Sequence, residues 1–287
     1  MVSVVFEAPD SIEGAVNLLA KSKIKTNVLA GGTDLIIQMQ GFQEERLVVD
    51  VKKIPSMMQA TLSDDGLSLG PSVPCAELTA REDIKDVYPG LVESAYLIGS
   101  TQVQGRCSVG GNLCNSSPAA DTIPALIANN AQCVIVGPNG ERSVAAEDFV
   151  AGVGQNIMEK GELLAKINIP RPAANTSDAY LRFIPRTEMD IAVAGAGVSI
   201  TLDADGTCTA ARVVIGAVAI TALLVPDAAA ALIGTKLDDG ALQAAADAAS
   251  AASKPITDRR GTVEFRTHVV GVLVKRAAKI AAQRAGV

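Results

Sequence analysis

The sequence contains one histidine, His268, and no tryptophan. That scarcity gives poor support to metal centres built from several imidazoles and to a Ser-His-Asp triad. His268 lies in the run 264–284, which reads as helix, and is expected to be a structural or surface side chain. Cysteine is scarce in a second sense. Cys75, Cys107, Cys114, Cys133 and Cys208 are odd in number and scattered, with no C-x-x-C pair. Neither a disulfide framework nor an iron–sulfur cluster ligated by this chain is expected, so any such cluster would belong to a partner. Long apolar runs are missing too, since no stretch approaches the roughly 20 residues of a spanning helix. The segment 1–7 lacks the basic start and apolar length of a secretory signal, and a cytoplasmic location is the expectation. Positive charge is short as well. With 25 Lys and Arg against 31 Asp and Glu, the net charge of -6 argues against a nucleic-acid-binding face.

What is present suits a folded chain of two or three compact units. Hydrophobic residues make up 48% of the 287 and charged residues 20%, enough to build a sizeable core. Asp10 and Glu13 have capping-box spacing ahead of Ile12, Val16 and Leu19, which recur at helical intervals. The apolar run Val28-Leu29-Ala30 leads into Gly31-Gly32-Thr33-Asp34, and 47–51 reads as a strand. Asp65-Gly66 signals a hairpin between 60–62 and 67–69. A helix carrying Leu91, Ala95 and Ile98 precedes a long polar, glycine-bearing stretch, 99–121. Helix is expected over 123–128 and strand over 133–136, closed by the turn Pro138-Asn139-Gly140. A strand at 163–169 ends at Pro170, and the prolines of 170–176 read as a connection between domains. Beyond it, 191–202 and 207–215 read as strands, and 241–252 and 264–284 as helices. Phe265, Val269, Val272 and Leu273 mark the apolar stripe of the last helix, whose final turns collect Lys275, Arg276, Lys279 and Arg284. The division expected is 1–55, 56–174 and 175–287, two α+β subdomains followed by a sheet-plus-helices domain.

Two loops carry chemistry. Ala30-Gly31-Gly32-Thr33-Asp34 and Ser108-Val109-Gly110-Gly111-Asn112 each set paired glycines beside a hydroxyl or amide side chain. Glycine lets backbone approach a ligand, and successive N–H groups in such turns can cradle a pyrophosphate. Either loop alone is equally well explained as a tight turn. Neither has the G-x-G-x-x-G of a Rossmann fingerprint, and no G-x-x-x-x-G-K-[ST] phosphate loop is present.

The second loop continues as Leu113-Cys114-Asn115-Ser116-Ser117-Pro118-Ala119-Ala120-Asp121. The whole run 108–126 resembles the signature of the FAD-binding medium subunit, or domain, of the xanthine dehydrogenase and aerobic carbon monoxide dehydrogenase family. That signature is a T/S-[IV]-G-G-N loop followed by Ser-Pro and then Asp. Leu29 to Leu35 resembles the family's other flavin loop, and the resemblance extends over nearly the whole chain. It implies an α+β, two-subdomain FAD-binding fold of the vanillyl-alcohol-oxidase-like type, followed by the C-terminal domain. It also implies that Leu29, Ala30, Gly31, Gly32, Thr33, Asp34 and Leu35, with Ser108, Val109, Gly110, Gly111 and Asn112, wrap the FAD pyrophosphate and neighbouring ribityl region. Asp121, after Ser117-Pro118, would accept hydrogen bonds from cofactor hydroxyls, although it also suits a helix N-cap. Leu164 and Ile191 would lie near the isoalloxazine, and Arg182 close to the cofactor. Ser108 replaces a common Thr. Ile191 and Ile98 stand where some relatives have aromatic residues.

The resemblance further implies non-covalent FAD in an electron-transfer subunit. A large subunit would hold the molybdenum cofactor, and a small subunit two [2Fe–2S] clusters. Electrons would pass through FAD to an external acceptor, within a dimer of heterotrimers. No residue here needs to act as a catalytic acid or base in that role. The alternatives are a free-standing FAD oxidoreductase and an assembly subunit that has lost its flavin.

Overall fold

The computed structural model describes residues 3–286, in three main sheets each backed by helices and one small two-stranded ribbon. The first unit alternates β1 (Val4–Glu7), α1 (Ile12–Lys21), β2 (Lys25–Leu29), α2 (Leu35–Met39) and β3 (Arg46–Asp50). Its strands run parallel in the order β1-β3-β2, so each helix is a crossover, as parallel pairing requires. Ala15, Val16 and Leu19 of α1 pack on Leu47 and Val49 of β3. Each such aliphatic side chain, once buried, contributes about 1.5–3 kcal/mol. The cap of α1 differs from the capping-box expectation. Ser11 is the N-cap and accepts from the Gly14 N–H at 3.2 Å, whereas Asp10 stands outside the helix. Ser11 is extended and the helix begins at Ile12, which puts its third N–H within reach of the serine rather than of Asp10.

The second unit begins with the hairpin of β4 (Ala60–Ser63) and β5 (Gly66–Leu69). Six short helices follow: α3 (Cys75–Thr79), α4 (Glu82–Val87), α5 (Pro89–Tyr96), α6 (Thr101–Gln104), α7 (Val109–Asn115) and α8 (Thr122–Ala128). Then come β6 (Gln132–Gly137), β7 (Gly140–Ala145), α9 (Ala146–Phe149), the small ribbon of β8 (Val150–Gly152) and β9 (Gln155–Asn156), and β10 (Leu163–Pro170). The main sheet is antiparallel in the order β4-β5-β10-β6-β7. The polar, glycine-bearing stretch 99–121 contains α6 and α7, and the buried Val109 and Leu113 bring α7 into the core. One expectation shifts here. Ile98 falls outside α5, which ends at Tyr96 just ahead of the left-handed Gly99.

The third unit is an antiparallel sheet in the order β11-β12-β13-β14, formed by β11 (Thr176–Phe183), β12 (Ala194–Leu202), β13 (Cys208–Gly216) and β14 (Leu223–Leu224). It is covered by α10 (Pro226–Leu232), α11 (Asp239–Ala252) and α12 (Val263–Arg284). Because β12 starts at Ala194, Ile191 lies in the exposed connection before it. The buried face of α12 also differs from the stripe expected. Only Leu273 of that stripe is buried, and Val270, Val274, Ala277, Ala278 and Ala281 complete the face. The reason is close approach, which favours small side chains over Phe265. A Cβ at Gly271 would stand 2.5 Å from Ser250 Oγ on α11. Lys275 and Lys279 do not act at the helix end but pair with Asp239 at the start of α11.

The second and third units are joined through α5 and α8. Asp178 on β11 is 2% exposed and accepts from the Gly90 and Leu91 N–H groups at 3.0 and 3.1 Å. It also accepts from Asn129 Nδ2 at 2.6 Å, so it caps α5 from a different domain. Pro124 of α8 rests on Gly197 and Gly216, where side chains would collide with it.

Burial pushes the Asp178 carboxyl up to about 6, against the opposing pull of its hydrogen bonds from Asn129 and Gly90. A carboxyl raised above its unfolded value of about 3.9 favours the folded state fully below that value, and the contribution is lost as pH rises through the native pKa. Asp178→Ala should therefore lower stability by about 2–4 kcal/mol at pH 7.5 by orphaning three donors. The gap between wild type and variant should widen, on the order of 2 kcal/mol, at pH 4.5. Urea denaturation at both pH values checks this, and a gap that narrows at low pH would contradict it.

Candidate functional site

A cleft of about 310 Å³ opens between the first two units. Its two long walls are the diglycine loops. From the first come Ala30, Gly31, Gly32, Thr33, Asp34 and Leu35, and from the second Ser108, Gly110, Gly111 and Asn112. Leu164 of β10, with its neighbour Leu163, adds an apolar wall beside Val51 and Met57.

The glycines are required first by packing. Arg106's carbonyl oxygen lies 1.7 Å from where a Cβ on Gly31 would stand, so the two loops touch backbone to backbone. Gly110 is pressed against Pro71 in the same way, with a would-be contact of 2.4 Å to its Cβ. Gly32 adopts φ +80°, where a side chain would be strained. Lys52 steadies the first loop by donating to the Ala30 carbonyl at 2.9 Å while paired with Asp50 at 2.7 Å. Gln38 on α2 donates to Asn115 on α7 at 3.1 Å and bridges the two walls.

Both loops run into helix starts. Ser108 caps α7 by accepting from Gly111 N–H at 3.1 Å, and Asn112 anchors α7 to α8 by accepting from Thr122 Oγ1 at 2.6 Å. Among the described residues, no protein acceptor takes up the N–H groups of Thr33, Asp34, Leu35 or Gly110. Free first-turn amides beside glycine backbone form an anion-binding surface. Of the two cysteines lining the cleft, Cys114 has its thiol pushed up to about 12 by burial, whereas the Cys107 thiol, hydrogen-bonded with Cys75, is drawn below the usual range.

Six expected residues stand outside the lining. Leu29 ends β2 below the first loop, and Val109 is buried in the core under α7. The Ser117 hydroxyl is used in its own turn, accepting from Ala119 N–H at 3.3 Å. Ile191 is exposed in the connection before β12. Asp121 and Arg182 find each other. The Asp121 carboxylate accepts from Arg182 Nη1 at 2.7 Å and from Tyr180 Oη at 2.8 Å, with both members of the ion pair under 10% exposed. Asp121 makes no N-cap bond to α8, because its backbone is already helical and its carboxylate is turned to β11. Burial pushes it up to about 6 despite the opposing charge of Arg182.

The cleft also recruits residues that motif reading passes over. Thr26 and Asn27 come from β2, Pro71 and Ser72 from the link after β5, and Asn156 and Met158 from the region of β9. The polar pair Thr26-Asn27, directly ahead of the apolar run Val28-Leu29-Ala30, is a usable signal, whereas Ser72 and Met158 carry none in the sequence.

Comparison with known proteins fits this geometry. The family described as "FAD binding domain in molybdopterin dehydrogenase" matches residues 2–172. The family described as "CO dehydrogenase flavoprotein C-terminal domain" matches residues 179–281. The carbon monoxide dehydrogenase medium chain of Afipia carboxidovorans is 33% identical, covering 98% of this chain and 97% of that protein. The corresponding chain of Hydrogenophaga pseudoflava is 32% identical over 96% of each. A solved structure of carbon monoxide dehydrogenase from Hydrogenophaga pseudoflava superposes with a TM-score of 0.93 at 33% identity, covering 98% of both chains. Two glycine loops meeting across one cleft, a C-terminal domain docked on the second, and end-to-end similarity lead to one conclusion: the chain belongs to the FAD-binding flavoprotein subunits of the molybdenum hydroxylase family of oxidoreductases.

Proposed function

We propose that the cleft seats FAD non-covalently and that the chain relays electrons within a larger complex. In this reading a large subunit holds the molybdenum cofactor and hydroxylates the substrate. A small subunit passes the electrons through [2Fe–2S] clusters, and an external acceptor takes them from the flavin. The observation that carries the reading is the meeting of the two diglycine loops, with unpaired amides on both sides of one cleft. Those amides and the start of α7 suit a pyrophosphate. The residues present fit the cofactor in a second respect, since the wall of Leu163, Leu164, Val51 and Met57 offers apolar cover beside the polar loops.

FAD, when bound, supplies the redox chemistry, and the protein's part is to bind, orient and shield it. Thr33, Ser108 and Asn112 would add side-chain hydrogen bonds beside the backbone amides. Leu29, Val109 and Ser117 would act from behind, by holding the loops in shape. Arg182 would hold Asp121 charged and oriented, leaving free lone pairs on the carboxylate for a cofactor hydroxyl. Ile191 would lie at the flavin end of the site. The units 1–55 and 56–174 would together enclose the cofactor, and 175–287 would stand as the C-terminal domain packed on the second unit. A cytoplasmic dimer of heterotrimers is the assembly proposed. Among the described residues, no helix is long and apolar enough to cross a membrane. A free-standing oxidoreductase is less well supported, because the lone histidine, His268, lies on α12 away from the cleft lining.

Gently purified protein should be yellow and release FAD, identified by mass, on denaturation. Molybdenum- and iron-containing subunits should co-purify with it. A colourless chain that takes up no added FAD would leave the structural-subunit reading in its place. FAD affinity should also fall several-fold as pH drops from 7.5 to 5. Protonation near pH 6 removes an acceptor site from Asp121. Flavin fluorescence titrations of wild type and Asp121→Asn check this, and the variant should show a flattened pH response.

A further inference from the structure

All five cysteines are free thiols, and two of them share a hydrogen bond, Cys75 and Cys107. Pro74 and Ser108 face each other as an antiparallel bridge. The next residues in register, Cys75 at the start of α3 and Cys107 just ahead of the second loop, therefore stand opposite one another. The Cys75 N–H donates to the Cys107 carbonyl at 2.8 Å. Opposed antiparallel residues lie about 4.5–5.5 Å apart at Cα, inside the range of about 4.4–6.8 Å that a disulfide spans. The backbone thus holds the pair at cross-linking distance.

The two thiols are unequal. Cys75 is fully buried, whereas Cys107 keeps 6% of its surface and lines the cleft. The hydrogen bond with Cys75 draws the Cys107 thiol below the usual range, outweighing burial and the nearby charge of Asp34. The Asp34 carboxylate lines the same cleft, and its charge reaches the Cys107 sulfur. The remaining cysteines differ. Burial pushes the Cys114 and Cys133 thiols up to about 12, and Cys208 donates to the Ala210 carbonyl at 3.4 Å. A thiol reacts as its thiolate, and among the five Cys107 is the one tuned toward that form.

We propose that Cys75 and Cys107 form a reversible disulfide when a hydroperoxide enters the cleft. The Cys107 thiolate attacks one peroxide oxygen, forming an S–O bond as the O–O bond breaks. The departing oxygen takes up the proton that the thiol had lost and leaves as water or an alcohol. The Cys75 sulfur then bonds to the Cys107 sulfur and displaces the sulfenic oxygen, which leaves as water with the Cys75 proton. The two thiols give up two electrons, and the peroxide takes both. A thiol reductant reverses the change. The cross-link ties the start of α3 to the backbone on which the first loop rests, since a Cβ on Gly31 would meet the Arg106 carbonyl and the Cys107 nitrogen. It requires no flavin and stands apart from the FAD reading. Two core thiols that only share a hydrogen bond are the competing explanation, and they predict no cross-link.

The test uses the full chain freed of bound cofactor, treated with hydrogen peroxide, alkylated and digested without reductant. Peptide mass mapping should find the Cys75 and Cys107 peptides joined, with two hydrogens lost. Alkylatable thiols should fall from five to three, and dithiothreitol should restore all five. Serine at either position should abolish the joined species. Cys75→Ser should also leave Cys107 as a sulfenic acid that dimedone traps. Full alkylation of all five thiols after peroxide, or a link between any other pair, would overturn the proposal. Oxidation of Cys107 in the wild type without a link to Cys75 would overturn it too. The deciding map is made on the wild-type chain, so it stands even where a serine variant fails to fold.

Discussion

The cleft depends on one missing atom. With the Arg106 carbonyl only 1.7 Å from the place a Cβ would occupy, Gly31 allows the first loop to lie directly on the second. Any side chain there would push the loops apart, and the amides of Thr33, Asp34 and Gly110 would no longer face a common space. The bridge from Gln38 to Asn115 and the contact of Pro71 with Gly110 both presuppose that approach. The glycines are thus needed by the protein before they are needed by any ligand, and the same close packing leaves the backbone free to meet one.

Desolvated carboxylates do the corresponding work at the joint with the C-terminal sheet. Asp121 and Asp178 are both buried, both raised to about 6, and both reach across from one unit to the other. Their roles differ. Asp178 satisfies backbone donors at the start of α5, a job any helix start needs done. Asp121 is matched with a buried arginine and a tyrosine, an arrangement in which removing one member leaves the others stranded. The cleft and the C-terminal sheet are therefore coupled through a handful of polar contacts as well as through the apolar bed beneath Pro124.

Much of this architecture is legible in the residues. The Asp65-Gly66 and Asn139-Gly140 turns mark their hairpins because glycine there takes a positive φ that other residues avoid. The paired loops mark the cleft because their glycines, hydroxyls and amide recur in one order. The misreadings share a cause, which is that local pattern does not record distance between elements. The stripe of α12 is chosen by how closely α11 approaches, so alanines are buried and Phe265 is left half out. Asp121 has N-cap spacing, yet a buried arginine from a strand about sixty positions later takes its carboxylate. Ser72 carries no motif, and only the packing of Pro71 on Gly110 brings it into the wall.

The Asp121–Tyr180–Arg182 cluster has a consequence for how such chains can be recombined. One member lies in the flavin-binding portion and two on the first strand of the C-terminal domain. A hybrid that joins the front of this protein to the back of a relative crosses the seam at the very place where a buried charge awaits its counter-charge. A graft made at the proline-bearing connection near 171–175 separates Asp121 from Tyr180 and Arg182, so those three positions should travel as a set. For this chain, the natural unit of exchange is larger than either domain.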